Sequence, residues 1–373
     1  DSVPPTDVLE RRSLLLKRKS SLGETLDGVP GVTSTYFGPS ASRPVIRGLD
    51  GDRIRILQNG TNTNDASSLS FDHAVPYDPL VAERIEVVRG PAAVLYGGNA
   101  VGGVVNLIDN RIPQSPLSGV SGRVEPRLGG ADGERSLGGV LEAGNGTFAL
   151  HADFFDRGSR DLRIPGFARS ARQRALDGPG FIQPEGRLDN SNATSDGGTL
   201  GGSLTFERGY VGISHGAFRS NYGSIPEPTV RIDIDSERTD FAGELRDLGS
   251  IITTAKFKAG RTDYEHRELD TGVVGTTFKN KGGDGRLELT HAKFGPLQGA
   301  FGLSLSDFDF SALGDEAFVP VTSTRSRGAF LFEELPAGDW KFSFGLRNER
   351  SDVQSAGGAR FGDAQSRSFN ANS

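Results

Sequence analysis

The chain contains no cysteine and five histidines, so a strong metal site here must be built from imidazoles and carboxylates. Three stretches gather such groups. Asp72 and His73 are neighbours in Ser70 to Pro79 (SFDHAVPYDP), Glu265, His266, Glu268 and Asp270 follow one another in EHRELD, and Asp315 and Glu316 sit in Ser311 to Pro320 (SALGDEAFVP). A hard carboxylate oxygen beside a neutral imidazole nitrogen suits Zn²⁺, provided the turn is distorted enough to aim both at one ion. Taken alone, an Asp-His dipeptide in a loop is ordinarily solvated or hydrogen-bonded. The cluster around His266 reads either as an outer site that collects ions or as a merely acidic loop. Asp153, Asp156 and Asp161 read in the same two ways, while His151, His215 and His291 fall in alternating strand segments and read as wall or lumen packing.

Catalysis finds little to work with. There is no nucleophile elbow, no His-Glu-x-x-His and no close Ser-His-Asp set, and the lack of cysteine removes thiol chemistry. The chain therefore reads as a non-enzyme. A formal charge of -6 with basic residues spread along the chain argues against a nucleic-acid partner. The one basic cluster, Arg11 to Lys19 (RRSLLLKRK), reads as a solvated helix or turn.

The elements that must position these residues change character near residue 120. Before it, Leu22 to Val32 reads as a short helix entering a turn, and Pro44 to Arg47, Arg53 to Gln58 and Ala82 to Arg89 as short strands: a small α+β domain, taken as residues 1–120. From 121 to 373, loose period-two alternation such as Phe148-Leu150-Ala152-Phe154 and Phe301-Leu303-Leu305 predicts long β-strands and no helix. Apolar runs are far shorter than the roughly 18 residues of a spanning helix. Tight links (GNGT at 144–147, ERGY at 207–210, DLGS at 247–250, FGP at 294–296, PAGDW at 336–340) alternate with long polar ones at 157–192, 220–230, 265–277, 311–320 and 351–367. That sorting is expected of an up-and-down barrel in an outer membrane, with short periplasmic turns and long external loops. About eleven strands plus the start of a twelfth are expected. An open lipid-embedded edge is untenable, so the chain reads as a fragment of a barrel of roughly 22 strands, about half of it present.

Three motifs then carry a resemblance: Arg43 to Gly60 (RPVIRGLDGDRIRILQNG), Val81 to Gly90 (VAERIEVVRG) and Pro91 to Ile108 (PAAVLYGGNAVGGVVNLI). In order and spacing they resemble the plug of the TonB-dependent receptors of Gram-negative outer membranes. Gly97-Gly98 and Gly102-Gly103 lack the spacing of a dinucleotide loop and suit close backbone approach instead. Arg47, Arg84, Arg89 and Gly90 fall in these motifs. The resemblance implies that such plug arginines pair with barrel glutamates, for which Glu333 and Glu334 are the candidates beside an ordinary lumen-facing role.

The stretch around Asp72-His73, with Pro76, Asp78 and Pro79, resembles the zinc-uptake (ZnuD-type) branch, whose plug carries an Asp-His pair at its outward apex. That resemblance implies Asp72, His73 and Glu316 as ligands, with Asp315 as the nearest rival and His266 and Glu265 further off. It also implies a barrel histidine with no matching position in this chain. The expected function is TonB-dependent uptake of zinc across the bacterial outer membrane. Zinc would be cargo rather than cofactor, and the TonB energy-coupling complex and outer-membrane lipid the partners. A haem or siderophore receptor and a β-rich adhesin or binding module without transport are the alternatives.

Overall fold

The computed structural model describes residues 7–177, 184–315 and 317–373. The N-terminal part supplies seven short strands: β1 (Asp7–Glu10), β2 (Val32–Ser34), β3 (Pro44–Ile46), β4 (Ile54–Gln58), β5 (Thr61–Asn62), β6 (Arg84–Val88) and β7 (Gly103–Ile108). Five of them form one sheet in the order β1-β6-β7-β4-β5, with β4 and β7 parallel. The helices α1 (Arg11–Lys17) and α2 (Leu22–Leu26) pack on it, and Leu14, Leu22, Leu26, Ile54, Ile85, Val105 and Leu107 make a dry core. Two of the motif glycines are there for backbone reasons. Gly103 has φ of 135°, and a Cβ on it would lie 2.7 Å from the Val88 carbonyl oxygen; one on Gly102 would lie 2.9 Å from Ile54 and Leu49.

The second part is a twelve-stranded antiparallel sheet that follows chain order. Its strands are β8 (Ser118–Gly129), β9 (Glu134–Asn145), β10 (Phe148–Ser159), β13 (Ala193–Phe206), β14 (Gly209–Gly223), β15 (Val230–Arg246), β16 (Ile252–Asp270), β17 (Val273–His291), β18 (Gln298–Gly314), β19 (Thr322–Ala337), β20 (Trp340–Ser355) and β21 (Gln365–Asn372). A hairpin of β11 (Leu162–Phe167) and β12 (Glu185–Leu188), with a helix α3 (Ala171–Asp177), occupies the link between β10 and β13. That helix departs from the all-strand expectation. It lies in a link, where no ladder competes with it. The architecture is the expected one, an α+β plug against a large antiparallel sheet of barrel type.

Side chains on the outer face divide by height. Leu150, Val211, Ile213, Phe241, Leu245, Phe301, Leu303, Leu305, Phe342, Phe344 and Leu346 are exposed and apolar, and all lie in the half of a strand next to a short turn. Beyond them the same face carries cross-strand ion pairs: Asp196–Arg219–Asp235, Arg267–Asp233, Lys281–Asp263 and Arg325–Asp307. An apolar belt of about 25 Å is what a barrel offers lipid; the charged halves project past it into water. This projection explains a difference from the sequence reading. The stretch 265–277 is not a loop: β16 runs to Asp270 and β17 starts at Val273. Strand outside lipid needs no apolar alternation, so it looks like loop in sequence.

Charged pairs dock the plug on the wall. Arg157 of β10 grips Asp78 with Nε at 2.8 Å and Nη2 at 2.9 Å, a bidentate fork. Arg111, just past β7, binds Asp109 and reaches Asp240 of β15 at 3.2 Å. Arg18 pairs with Glu125 of β8 and donates to the Ala82 carbonyl at 3.0 Å, so the basic cluster is not simply solvated. The arginines singled out from the motifs do otherwise. Arg84 pairs with Glu86 and Arg89 with Asp7, both within the plug, while Arg47 is exposed in a turn with φ of 51°. Glu333 reaches across β18 to His291 at the end of β17, and Glu334 binds Lys341 on the neighbouring β20. Adjacent strand residues face opposite sides, so these two glutamates cannot both meet the plug.

Burial alone would raise the Asp109 pKa, but the charge and hydrogen bonds of Arg111, with bonds from Asn59 and Gln58, outweigh it and hold it at about 2. A depressed carboxylate pKa gives stability that is complete above the unfolded value near 3.9 and is lost as pH falls through about 2. Hydrogen exchange at the amides of β7 should therefore be unchanged from pH 7 to about 5 and show about 2 kcal/mol less protection once Asp109 is protonated. Arg111→Ala leaves Asp109 buried without its cation, while Asp240 keeps Arg238 at 2.8 Å, and should cost about 3–5 kcal/mol at neutral pH.

Candidate metal centre

Alternation along β16 selects the residues. Gly260, Thr262, Tyr264, His266 and Glu268 are buried towards the plug, while Arg261, Asp263 and Arg267 face away. His266 and Glu268 are thus two apart on one face, as a period of two requires. Glu265 points outward and is held by Lys279 at 2.7 Å. It is not part of the site. At roughly 3.3 Å per residue and a tilt near 40°, the climb from Ile252 to His266 is about 35 Å, above a belt of about 25 Å. The site therefore lies in the projecting part of the wall.

His73 comes to the same place from the plug. Its segment, residues 63–78, contains neither helix nor strand, so specific bonds must hold it. His73 Nδ1 lies 3.0 Å from the Ala66 carbonyl oxygen, which fixes that nitrogen as the N–H donor. Its Nε2 then faces Glu268 Oε1 at 3.2 Å. Two lone pairs cannot face each other at that distance, so the gap calls for a proton or a cation. His266 repeats the arrangement. Its Nδ1 is 2.9 Å from the Tyr264 hydroxyl, and its Nε2 is buried without a hydrogen-bond partner, 3.8 Å from Glu268 Oε1.

Ligand atoms of His73, His266 and Glu268 all lie within 4.8 Å of one another. The edge of a zinc tetrahedron is about 3.3 Å, so small side-chain rotations would close the three around one ion. Exposures are 2% for His73, 0% for His266 and 8% for Glu268. Aromatic rings exclude water: Phe278 stacks on His266 at 4.4 Å and meets His73 edge-on at 5.0 Å, with Phe318 5.9 Å beyond Phe278. Burial opposes protonation of His73, but the bond to Glu268 and the nearby Asp72 charge prevail and lift its pKa above the usual histidine value. An imidazole that attracts a proton there will attract a divalent cation by the same charges.

The other expected ligands separate. Asp72 Oδ1 stands 3.9 Å from His73 Nε2 and accepts from the Ser70 hydroxyl, beside the three-residue cluster rather than within it. Asp315 is exposed, its N–H on the Gly275 carbonyl, and is not in the cluster. Glu316 lies outside the described residues. His151 is buried between Asp153 and Glu142, His215 faces outward beside Thr239, and His291 pairs with Glu333. In the sequence Glu268 is one member of the acidic cluster around His266, with nothing that joins it to His73. The His-x-Glu spacing that singles it out acquires meaning only if the stretch is strand.

Comparison with known proteins agrees with this architecture. Residues 1–104 match the family model for the TonB-dependent Receptor Plug Domain. A vitamin B12 transporter of Photobacterium profundum is 29% identical over 232 residues, 60% of this chain and 34% of that protein. Among solved structures, the copper transporter OprC superposes with a TM-score of 0.79 at 17% identity, over all of this chain and 59% of its own. The FrpB iron transporter of Neisseria meningitidis gives 0.77 at 11%, over 98% of this chain and 60% of its own. The ferric citrate transporter FecA gives 0.70 at 16%, over 98% and 58%. The chain thus spans about a third of the curated relative and about three-fifths of the solved structures. Its fold is that of the TonB-dependent receptors, and its setting is the bacterial outer membrane.

His266→Ala and Glu268→Ala should each weaken Zn²⁺ binding at least 100-fold, because each removes a ligand from a set of three. Glu265→Ala should leave the affinity within twofold. Titration against a chromogenic chelator reads all three.

Proposed function

We propose that this chain is part of a TonB-dependent outer-membrane receptor that takes up a divalent metal ion, with zinc as its cargo, captured between the plug apex and the projecting wall. The observation that carries the reading is the convergence of His73 from the plug with His266 and Glu268 from β16, buried and with ligand atoms within 4.8 Å. Two imidazoles and a carboxylate, with Asp72 as a fourth donor, match the nitrogen and oxygen ligands zinc prefers. Coupling to the TonB complex is proposed from the plug match alone.

Cu²⁺ accepts the same donors and competes for this site, and one similar structure is named a copper transporter. The absence of Met and Cys leaves nothing to favour Cu⁺. The ligand of the vitamin B12 relative, and haem or a ferric chelate, are much larger than the space among these three side chains. They would need a different binding surface.

Isothermal titration of the full-length detergent-solubilised protein tests the reading. Zn²⁺ should bind with about one ion per chain, and His73→Ala/His266→Ala should abolish binding, with Glu316→Ala measured alongside. Haem, vitamin B12 and ferric citrate should neither bind tightly nor displace the ion. Unchanged Zn²⁺ binding in the double variant would remove the site from consideration.

A further inference from the structure

We infer that Tyr222, a wall residue on β14, is the positioning residue for His73 and so sets the affinity of the ion site; the inference rests on the zinc reading above. His73 belongs to an irregular segment, and its own backbone N–H makes only a long bond of 3.3 Å to the Ser70 carbonyl. What holds the chain on either side of it comes from across the interface. The Tyr222 hydroxyl donates to the Asp72 carbonyl at 2.7 Å and accepts from the Ala74 N–H at 2.8 Å. One oxygen thereby satisfies a peptide group before and after the ligand residue.

The hydroxyl is itself fixed. The Tyr222 ring is 1% exposed and packs with Ala66, Ala74, Ile232 and Tyr264. Its backbone is locked in the ladder opposite Ala193 and Ile232. Tyr264 acts differently, because it touches the ligand ring of His266 directly from the same strand. Tyr222 touches neither imidazole nor carboxylate. It acts through the main chain, and the Ala66 carbonyl then sets the ring.

Phenylalanine at 222 would keep the ring and its burial but leave the Asp72 carbonyl and the Ala74 N–H without a partner. Buried peptide groups are costly unpaired, so the turn would rotate to find water or other partners and carry His73 with it. Metal–ligand distances tolerate only about 0.2 Å. Loss of an outer-shell partner typically weakens metal binding about 10–100-fold.

The test compares wild type, Tyr222→Phe and Ile232→Val as full chains in detergent. The readouts are Zn²⁺ affinity, thermal unfolding and the visible absorption of the Co²⁺-loaded protein. Tyr222→Phe should weaken Zn²⁺ binding about 10–100-fold and reduce the Co²⁺ absorption, as a nitrogen ligand is lost, with little change in unfolding. Ile232→Val loosens the same cluster but spares the hydroxyl, and should bind within twofold of wild type. Binding by Tyr222→Phe within twofold of wild type overturns the inference, as does an equal loss in both variants, which would make packing the cause. Absence of Zn²⁺ binding in the wild-type chain overturns the zinc reading and the inference with it.

Discussion

The proposed ion site can form only while the plug is held against the wall, because its donors belong to two bodies. A few buried charge pairs impose that constraint. Arg157 on Asp78 and Arg111 between Asp109 and Asp240 are fixed in direction as well as distance, since a guanidinium fork accepts a carboxylate in few poses. Such pairs add little net stability, as desolvation offsets most of their attraction. Their value here is registration. A shift of the plug by one strand position would strand each charge in a dry interface, at several kcal/mol apiece. Within that frame the finer contact of Tyr222 needs to correct only the last fraction of an ångström.

The second determinant is the period of two. On β16 it brings His266 and Glu268 to the plug side, and it excludes Glu265, which sits next to His266 in sequence yet is tied to Lys279 on the opposite face. Sequence adjacency and chemical adjacency are therefore opposed in a strand. EHRELD reads as one acidic cluster along the chain, and the structure divides it into two faces with different partners. The same rule puts Glu333 and Glu334 on opposite faces, and their carboxylates are taken by His291 and Lys341 rather than by plug arginines.

What was legible in the sequence follows from where the physics is local. Plug strands, the helix at Leu22 and the order of short and long links depend on nearby apolar spacing and turn residues, and they appear close to where the motifs place them. His73 stood out because Asp-His within a proline-rich segment is chemically unusual. That His266 and Glu268 of the EHRELD cluster are its partners did not show, for two reasons. The upper half of β16 lies outside lipid, so it lacks the apolar alternation that identifies a strand. And the pairing of His73 with Glu268 spans 195 positions, decided by docking rather than by any segment. The docking arginines were hidden similarly: Arg18 and Arg111 of the plug and Arg157 of the wall make interface contacts, but nothing in their neighbourhoods distinguishes them from Arg47, Arg84 or Arg89.

A site divided between plug and wall has a thermodynamic consequence. Any ion bound by His73 together with His266 and Glu268 adds bonds across the interface, so it stabilises the docked plug by the same free energy with which docking stabilises the ion. At a free concentration about 1,000 times the dissociation constant, the gain would be about 4 kcal/mol, comparable with breaking one buried charge pair. The ion would then be released most readily by withdrawing the apex, since His73 leaves with the plug while the other two donors remain on β16. Two wall donors alone make a poor zinc site. Movement of the segment around residue 73 would thus lower affinity by itself, without a change in the ion, the wall or the pH.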